Sequence, residues 1–329
     1  MGGVGEGDGQ ECSSWTINKS TMVKGYGEPQ HMKTFSFKKI DAFATATSSG
    51  NPAGVISLRT QNDITEQEMQ RIARELKGFV SEVGYLWHND DDTYGLRYFS
   101  SEREVEFCGH ATIAIMHDLI RNNDRLMRKE IISIVTNKGR LEVENRIPND
   151  NAVFITAPDP VFSPTAIDKY SFAEAIKIEP NEISDQYPVS VVNAGLETLI
   201  VPIKKLDTIL SLSPQLDELK SYCRKNSVDI ITVFTDEVAH KPNSFRTRVF
   251  APTFGYLEDP ATGSGNAALG HYLLKNGKWD GKPMTVEQNG ELSSPNIVKL
   301  TTRKDEHGKM RVLFGGGAIV RIQGEYILS

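Results

Sequence analysis

The chain has 329 residues, a formal net charge of −6, 39% apolar and 24% charged residues, which is a globular composition long enough for two domains. The acidic balance and the lack of a long basic run argue against nucleic acid or an acidic membrane surface as a partner. No stretch of 18 apolar residues offers a membrane span, the N-terminus lacks the order of a signal peptide, and Cys12, Cys108 and Cys223 are too few for a disulfide framework or a zinc cage; free thiols in a cytoplasmic enzyme are expected.

Residues 1–31 read as foreign to the fold. "MGGVGEGDGQ" is Gly-rich and polar and "GEPQHM" has no apolar period, as in a disordered or cloning-derived leader ahead of Met32. A strand is expected at 34–45 ("TFSFKKIDAFAT") and a turn at Gly50-Asn51-Pro52. In "DITEQEMQRIAREL", Thr65 and Glu68 make a capping box, Met69, Ile72, Ala73 and Leu76 share a helical face, and Gly78 is the stop. "FVSEVGYLW" alternates as a strand, with Val80, Glu82, Gly84 and Leu86 on one face and Glu82 in mid-strand. A strand at "YGLRYFS", a helix opened by Cys108-Gly109-His110, and strands at "EIISIVTNKGRLEVEN" and "AVFITAPDP" follow.

The second half repeats this outline: β-rich "PVSVVNAGLETLIVPI", a helix in "SPQLDELKSYCRKN", a buried strand at "DIITVFTDE", then strand, loop and helix from Ser244 to Gly277. Arg97-Tyr98-Phe99 leads through an acidic loop to "FCGHATIAIMHDL", and Arg248-Val249-Phe250 leads through another to "TGSGNAALGHYLL". A period of about 150 residues is too long for a solenoid and suggests a duplicated domain, two similar halves facing each other; the alternative is coincidence between two strand-loop-helix units.

The stretch "LEDPATGSGNAALGHYLLKNG" (257–277) resembles a nucleotide loop but fails both tests. No lysine follows Gly270, as a P-loop requires. Gly263-Ser264-Gly265 is followed by Ala268 where a dinucleotide fingerprint needs glycine, and Glu258 and Asp259 would repel a pyrophosphate. The N–H groups from Thr262 to Asn266 can still hold an anion such as a carboxylate at a helix start; the alternative is that Gly263 and Gly265 only permit tight packing. Asp259 precedes proline and is biased to extended backbone, pointing either into that cleft or to solvent. His110 reads as a donor or proton relay, or as a helix cap. Cys108-x-His110 with His117 invites a metal reading that no further Cys/His cluster completes. Glu82 is a usable general acid/base if its face is buried and an ordinary sheet residue if exposed.

"IDAFATATSSGNPAGV", "SEVGYLW", "RYFSSEREVEFCGHAT" and "RVFAPTFGYLEDPATGSGNAALGHYL" occur in the order seen in the phenazine-biosynthesis PhzF-like family, and the chain resembles that family from Lys33 to Ser329. The resemblance implies an α/β (α+β) fold of the diaminopimelate epimerase type. Two similar halves each curve a mostly antiparallel sheet around a central helix, with the active site between them. The expected division is 32–155 with about 317–329, and 156–316. The resemblance further implies a homodimer and a cofactor-independent isomerase that needs no metal. Its general acid/base falls on Glu82, with His110, Asp259 and Ser264 as further catalytic groups. Asn51, Gly109, Ala111, Asn193, Gly195, Thr262, Gly263 and Gly265 fall at substrate-binding positions, for a small, cyclic carboxylate. Asn51 and the Asn193–Gly195 turn also read as simple turn chemistry. Related racemases use one cysteine per half. Cys108 occupies the first place and "DPATGSGNAA" has none, so two-thiol racemisation should fail and Cys108 reads as a spectator. The competing readings are an amino-acid epimerase pairing Cys108 with a non-thiol partner, and a non-catalytic small-molecule-binding protein on the same fold.

Overall fold

The computed structural model describes residues 32–163 and 167–329; the leader expected at 1–31, with Cys12, lies outside them. In chain order the first half holds β1 (Lys33–Ala42), β2 (Asn51–Ser57), α1 (Glu66–Glu75), β3 (Glu82–His88), β4 (Tyr94–Ser100), β5 (Glu104–Val105), α2 (Gly109–Arg121), α3 (Asp124–Met127), β6 (Ile131–Thr136), β7 (Gly139–Asn145), α4 (Ile147–Asp150) and β8 (Val153–Thr156). There follow β9 (Val161–Ser163), α5 (Lys169–Ile176), β10 (Ser190–Asn193), β11 (Glu197–Pro202), α6 (Leu206–Ser211), α7 (Leu216–Lys225), β12 (Ile230–Thr235), β13 (Phe245–Phe250), β14 (Glu258–Asp259), α8 (Gly263–Lys275), β15 (Met284–Gln288), β16 (Asn296–Lys304), β17 (Met310–Gly316) and β18 (Ala318–Leu328). Among the described residues no helix is long and apolar enough to cross a membrane.

The strands form one ribbon with an internal symmetry. One arm runs β18-β1-β2-β3-β4-β6-β7-β8, and the other runs β9-β10-β11-β12-β13-β15-β16-β17. Each arm is antiparallel except at its third-to-fourth and fifth-to-sixth strands, which are parallel. The arms join through the antiparallel β8–β17 pair. Each fifth strand also carries a short hairpin partner, β5 on β4 and β14 on β13. In both hairpins an arginine clamps a glutamate through two nitrogens: Arg97 to Glu104 at 2.6 and 2.7 Å, and Arg248 to Glu258 at 2.9 and 2.6 Å. The repeat seen in the sequence is thus a repeat of topology and of side-chain clamps.

A central helix fills each arm. Ala111 to His117 of α2 and Gly265 to Leu273 of α8 are buried in unbroken runs, the pattern of helices covered on all sides. The α2 helix packs on β1, β2, β3, β8 and β18, and α8 on β10, β11, β12, β16 and β17. The two helices share one apolar core, while Phe35, Ile72 and Tyr85 anchor a smaller one under α1, and Phe172, Leu219 and Val233 another under α5 and α7.

Local signals act as expected in α1, where Thr65 and Glu68 cap each other reciprocally. One expectation is corrected: Glu82 is the first residue of β3, not a mid-strand position. The preceding Phe79 and Val80 N–H groups both bond to Leu76 O, and Gly78 has φ +81°, so the helix exit turns through these residues before the strand begins. Val83 and Tyr85 then face the α1 core, while Gly84 and Leu86 face α2.

The two central helices meet at Phe314 of β17. A Cβ at Gly109 would lie 3.2 Å from its ring, and one at Gly263 would lie 2.3 Å from it. Glycine at the first position of α8 is therefore a packing requirement, while at α2 a side chain would fit tightly. Gly263→Ala should lower stability by about 1–3 kcal/mol through overpacking, and Gly109→Ala by less; urea denaturation of the two variants checks the order.

Candidate functional site

The site forms where the strand starts and helix starts of the two arms converge. Glu82 enters from the start of β3, paired with Ala53 of β2. Cys108 is the N-cap of α2, with Gly109, His110 and Ala111 in its first turn; Thr262 is the N-cap of α8, with Gly263, Ser264 and Gly265 in its first turn. Neither N-cap side chain bonds to its helix, and neither first turn contains an acidic residue. Two helix N-termini thus keep their positive ends uncancelled.

Glu82, Cys108 and His110 form a tight cluster. The His110 Nε2 atom lies 3.2 Å from Glu82 Oε2, and its Nδ1 lies 3.4 Å from Cys108 Sγ. The Glu82–His110 approach is an ion-pair distance without hydrogen-bond alignment, so the buried Glu82 Oε2 has no hydrogen-bond partner. Burial alone would depress the His110 pKa, but Cys108 and Glu82 beside it hold it well above the ordinary 6.5. Burial pushes the Cys108 thiol up, against the pull of His110, so the thiol is a poor nucleophile near neutral pH.

Asp259 comes from the other arm and is held by a web of buried amides. Asn51, 1% exposed, donates to Asp259 Oδ1 at 2.7 Å and to Ala261 O at 2.9 Å, and accepts from Ser81 Oγ at 3.0 Å. Both Asn51 amide hydrogens are committed to the protein, and the residue links the approach to Glu82 with Asp259. Gly50, at φ +67°, donates its N–H to Asn296 Oδ1, whose amide in turn donates to Pro260 O. Gln288 donates to Asp259 O and Thr262 Oγ1, and accepts from Thr262 N–H and the Asn266 amide. Asp259 itself is pushed up to about 6, chiefly by burial and further by Glu82, with His110, the Thr262 hydroxyl and Ala261 N–H opposing. Asp259 is therefore a buried carboxyl whose protonation changes near neutrality.

The structure brings Glu82, His110, Asp259, Asn51 and Thr262 into one connected group, and places Gly109, Ala111, Gly263, Ser264 and Gly265 in the helix turns that face it. The Asn193–Gly195 turn stands apart in its contacts: Asn193 bonds Glu197 and Gly195 N–H, closing its own hairpin. By strand register it is the second arm's counterpart of the Gly50 turn, since Ala53 pairs Glu82 as Thr198 pairs Ile230. His117 bonds Asn151 and takes no part in the cluster. Surface clefts of about 380 and 320 Å³ share no residue with the cluster.

Sequence reading missed Gln288, Asn296 and Tyr256. The two amides sit in strands whose only sequence signal is alternation; their burial at 0% is a tertiary fact. Tyr256 lies in the loop after Gly255 and is 43% exposed as a residue, but burial of its hydroxyl end and the charges of Asp259, Glu82 and Cys108 raise its phenol pKa, so the hydroxyl shares their electrostatic field. An aromatic three residues before Asp259 was the available signal.

The sequence profile of the phenazine biosynthesis-like proteins (PhzC-PhzF) matches residues 40–324. An uncharacterized isomerase of Clostridium acetobutylicum is 30% identical over 91% of this chain and 100% of its own length. The crystal structure of a PhzF-family phenazine biosynthesis protein from Bacillus anthracis superposes with a TM-score of 0.80 at 26% identity, covering 90% of this chain and 100% of that one. A hydroxyproline epimerase from Agrobacterium vitis shares the fold alone, with a TM-score of 0.57 at 10% identity over 90% of this chain and 93% of that one. With the profile spanning both arms of the ribbon and the relative matched end to end, the chain belongs to the phenazine biosynthesis-like PhzC-PhzF family.

Proposed function

We propose that this protein is an isomerase that moves a proton within a small, carboxylate-bearing cyclic substrate, using Glu82 as general acid/base and no cofactor. The observation that carries this reading is the buried Oε2 of Glu82, which has no hydrogen-bond partner and lies 3.2 Å from His110 Nε2, beside two uncapped helix N-termini. A carboxylate held by N–H groups of Gly109–Ala111 and Gly263–Gly265, and by the Ser264 hydroxyl, would satisfy those helix ends. Glu82 would take a proton from carbon as the C–H electron pair moves into conjugation with the carboxylate. The helix ends stabilise the resulting charge, and Glu82 returns the proton to a different carbon. His110, charged by its surroundings, and Asp259, titrating near 6, orient Glu82 and set its field. The protein's two arms are proposed as domains of residues 32–155 with 317–329 and residues 156–316.

One contact favours an epimerase instead: Cys108 Sγ against His110 Nδ1 at 3.4 Å. Against it, the position equivalent to Cys108 at the start of α8 is Thr262, whose hydroxyl is engaged by Gln288 and Asp259 and is not free to act as the non-thiol partner.

Glu82→Gln should lower turnover by about 10²–10⁴-fold, the usual loss for a general acid/base, with unchanged circular dichroism and ligand affinity. The readout is solvent-deuterium wash-in across a panel of small carboxylates; an active variant removes Glu82 from the role, and no exchange on any bound ligand favours a binding protein. Cys108→Ala retains exchange on this mechanism and loses it on the epimerase mechanism.

A pH prediction follows from Asp259. Its folded pKa lies above the ordinary 3.8, so the folded state binds this proton more tightly than the unfolded chain. That stabilisation is complete below about pH 4 and is lost as pH rises through 6. Asp259→Asn, which keeps the acceptor for Asn51, should gain stability relative to the parent between pH 4 and 7, on the order of 2 kcal/mol. Thermal melts of both proteins across that range measure the difference, while exchange activity falls.

A further inference from the structure

We propose that Glu82, Cys108 and His110 form a binding site for a zinc-class divalent ion, so that a bound ion and the proton transfer proposed above exclude each other. The inhibition rests on that functional reading; the ion binding itself does not. One ligand atom from each residue lies within 4.8 Å of the other two. Cys108 Sγ is 3.9 Å and Glu82 Oε2 is 3.2 Å from His110 Nε2. Tetrahedral zinc, with its usual bonds to sulfur, nitrogen and oxygen, sets neighbouring ligand atoms roughly 3.4–3.6 Å apart. The preformed distances fall to either side of that range, within reach of small side-chain rotations.

Three further features fit an ion. The donor set is a thiol, an imidazole and a carboxylate, three protein ligands that leave a fourth position for water, the arrangement of open zinc sites. Sulfur and imidazole together select zinc over magnesium or calcium. The Glu82 Oε2 atom is buried without a hydrogen-bond partner, which an ion would satisfy. All three residues stand on rigid elements: the first residue of β3, and the N-cap and first turn of α2. His117, the third ligand suggested by sequence spacing, is engaged with Asn151; the third ligand comes from a strand distant in sequence. Binding releases the thiol proton and the proton on His110 Nε2, and it commits the Glu82 carboxylate charge to the ion, so that the carboxylate no longer serves as the base for substrate.

The test uses the full chain, metal-stripped, titrated with Co²⁺ as a spectroscopic stand-in and then with Zn²⁺ as competitor. The expected result is one ion per chain, with a near-ultraviolet thiolate-to-cobalt charge-transfer band and intense visible bands of four-coordinate cobalt, all displaced by Zn²⁺. Cys108→Ser should abolish the charge-transfer band, and His110→Ala and Glu82→Gln should each weaken binding by at least tenfold, with folding checked by circular dichroism. Should Cys108→Ser fold poorly, Cys108→Ala serves the same purpose. The band must persist in Cys12→Ala, since Cys12 is the thiol outside the described residues. Loss of the band in Cys12→Ala, its survival in both Cys108 variants, or no band at millimolar Co²⁺ overturns the proposal. A protein that shows the band but no deuterium exchange keeps the ion site and loses the isomerase reading; exchange without the band does the reverse.

Discussion

Two helices begin in the interior of this protein without side-chain caps, and the rest of the site depends on that choice. A helix start leaves N–H groups unpaired and concentrates positive potential there. A protein ordinarily satisfies such groups with serine, threonine or aspartate. Here the caps are Cys108 and Thr262, neither bonded to its helix. Glycine follows each, and Phe314 packs over both, filling the side-chain space at Gly263 and crowding it at Gly109. The same ring thus fixes the spacing between the two helix ends and limits which residue type can stand at each.

The frame is symmetric and the chemistry is not. Strand register and helix position match Glu82 with Ile230, Asn51 with Leu196, Val105 with Asp259, and His110 with Ser264. Duplication supplies two equivalent approaches to one centre, and the ionisable groups are then divided between them. Glu82 and His110 stand on one arm and Asp259 on the other. Because Asp259 is held by Asn51 from the first arm and by Gln288 from the second, its position reports the relative placement of the arms. Arg248, which clamps the adjacent Glu258 while donating to Ile209, Leu210 and Leu212 carbonyls, ties the same hairpin to the end of α6.

Much of this was legible in the sequence where the signal is local. The Thr65–Glu68 capping box, the buried run of β12 and the two Gly-led helices are written in neighbouring residues, and the repeated arginine-to-glycine spacing foreshadows the repeated hairpins. The family resemblance supplied the fold, and it alone suggested the role proposed for Glu82, which periodicity left open. What could not be read depends on residues far apart in the chain: the Asn51–Asp259 bond, the buried amides of Gln288 and Asn296, and Phe314 between two helices. The start of β3 was misplaced because alternation continues through Phe79 and Val80 while their N–H groups are committed to the preceding helix exit.

The position of β18 carries a consequence for how the molecule is made. It is the last strand, yet it pairs with the first, Leu328 opposite Lys33 and Ala318 opposite Ala42, and it covers α2. During synthesis the arm that carries Glu82 and His110 therefore lacks an edge until the other arm has left the ribosome. The second arm can close on itself earlier. Long-range closure of this kind slows folding and leaves β1 with an open edge, a template for unwanted pairing, until β18 has been made. The final eleven-residue strand is thus a latch on a compartment begun almost three hundred residues before.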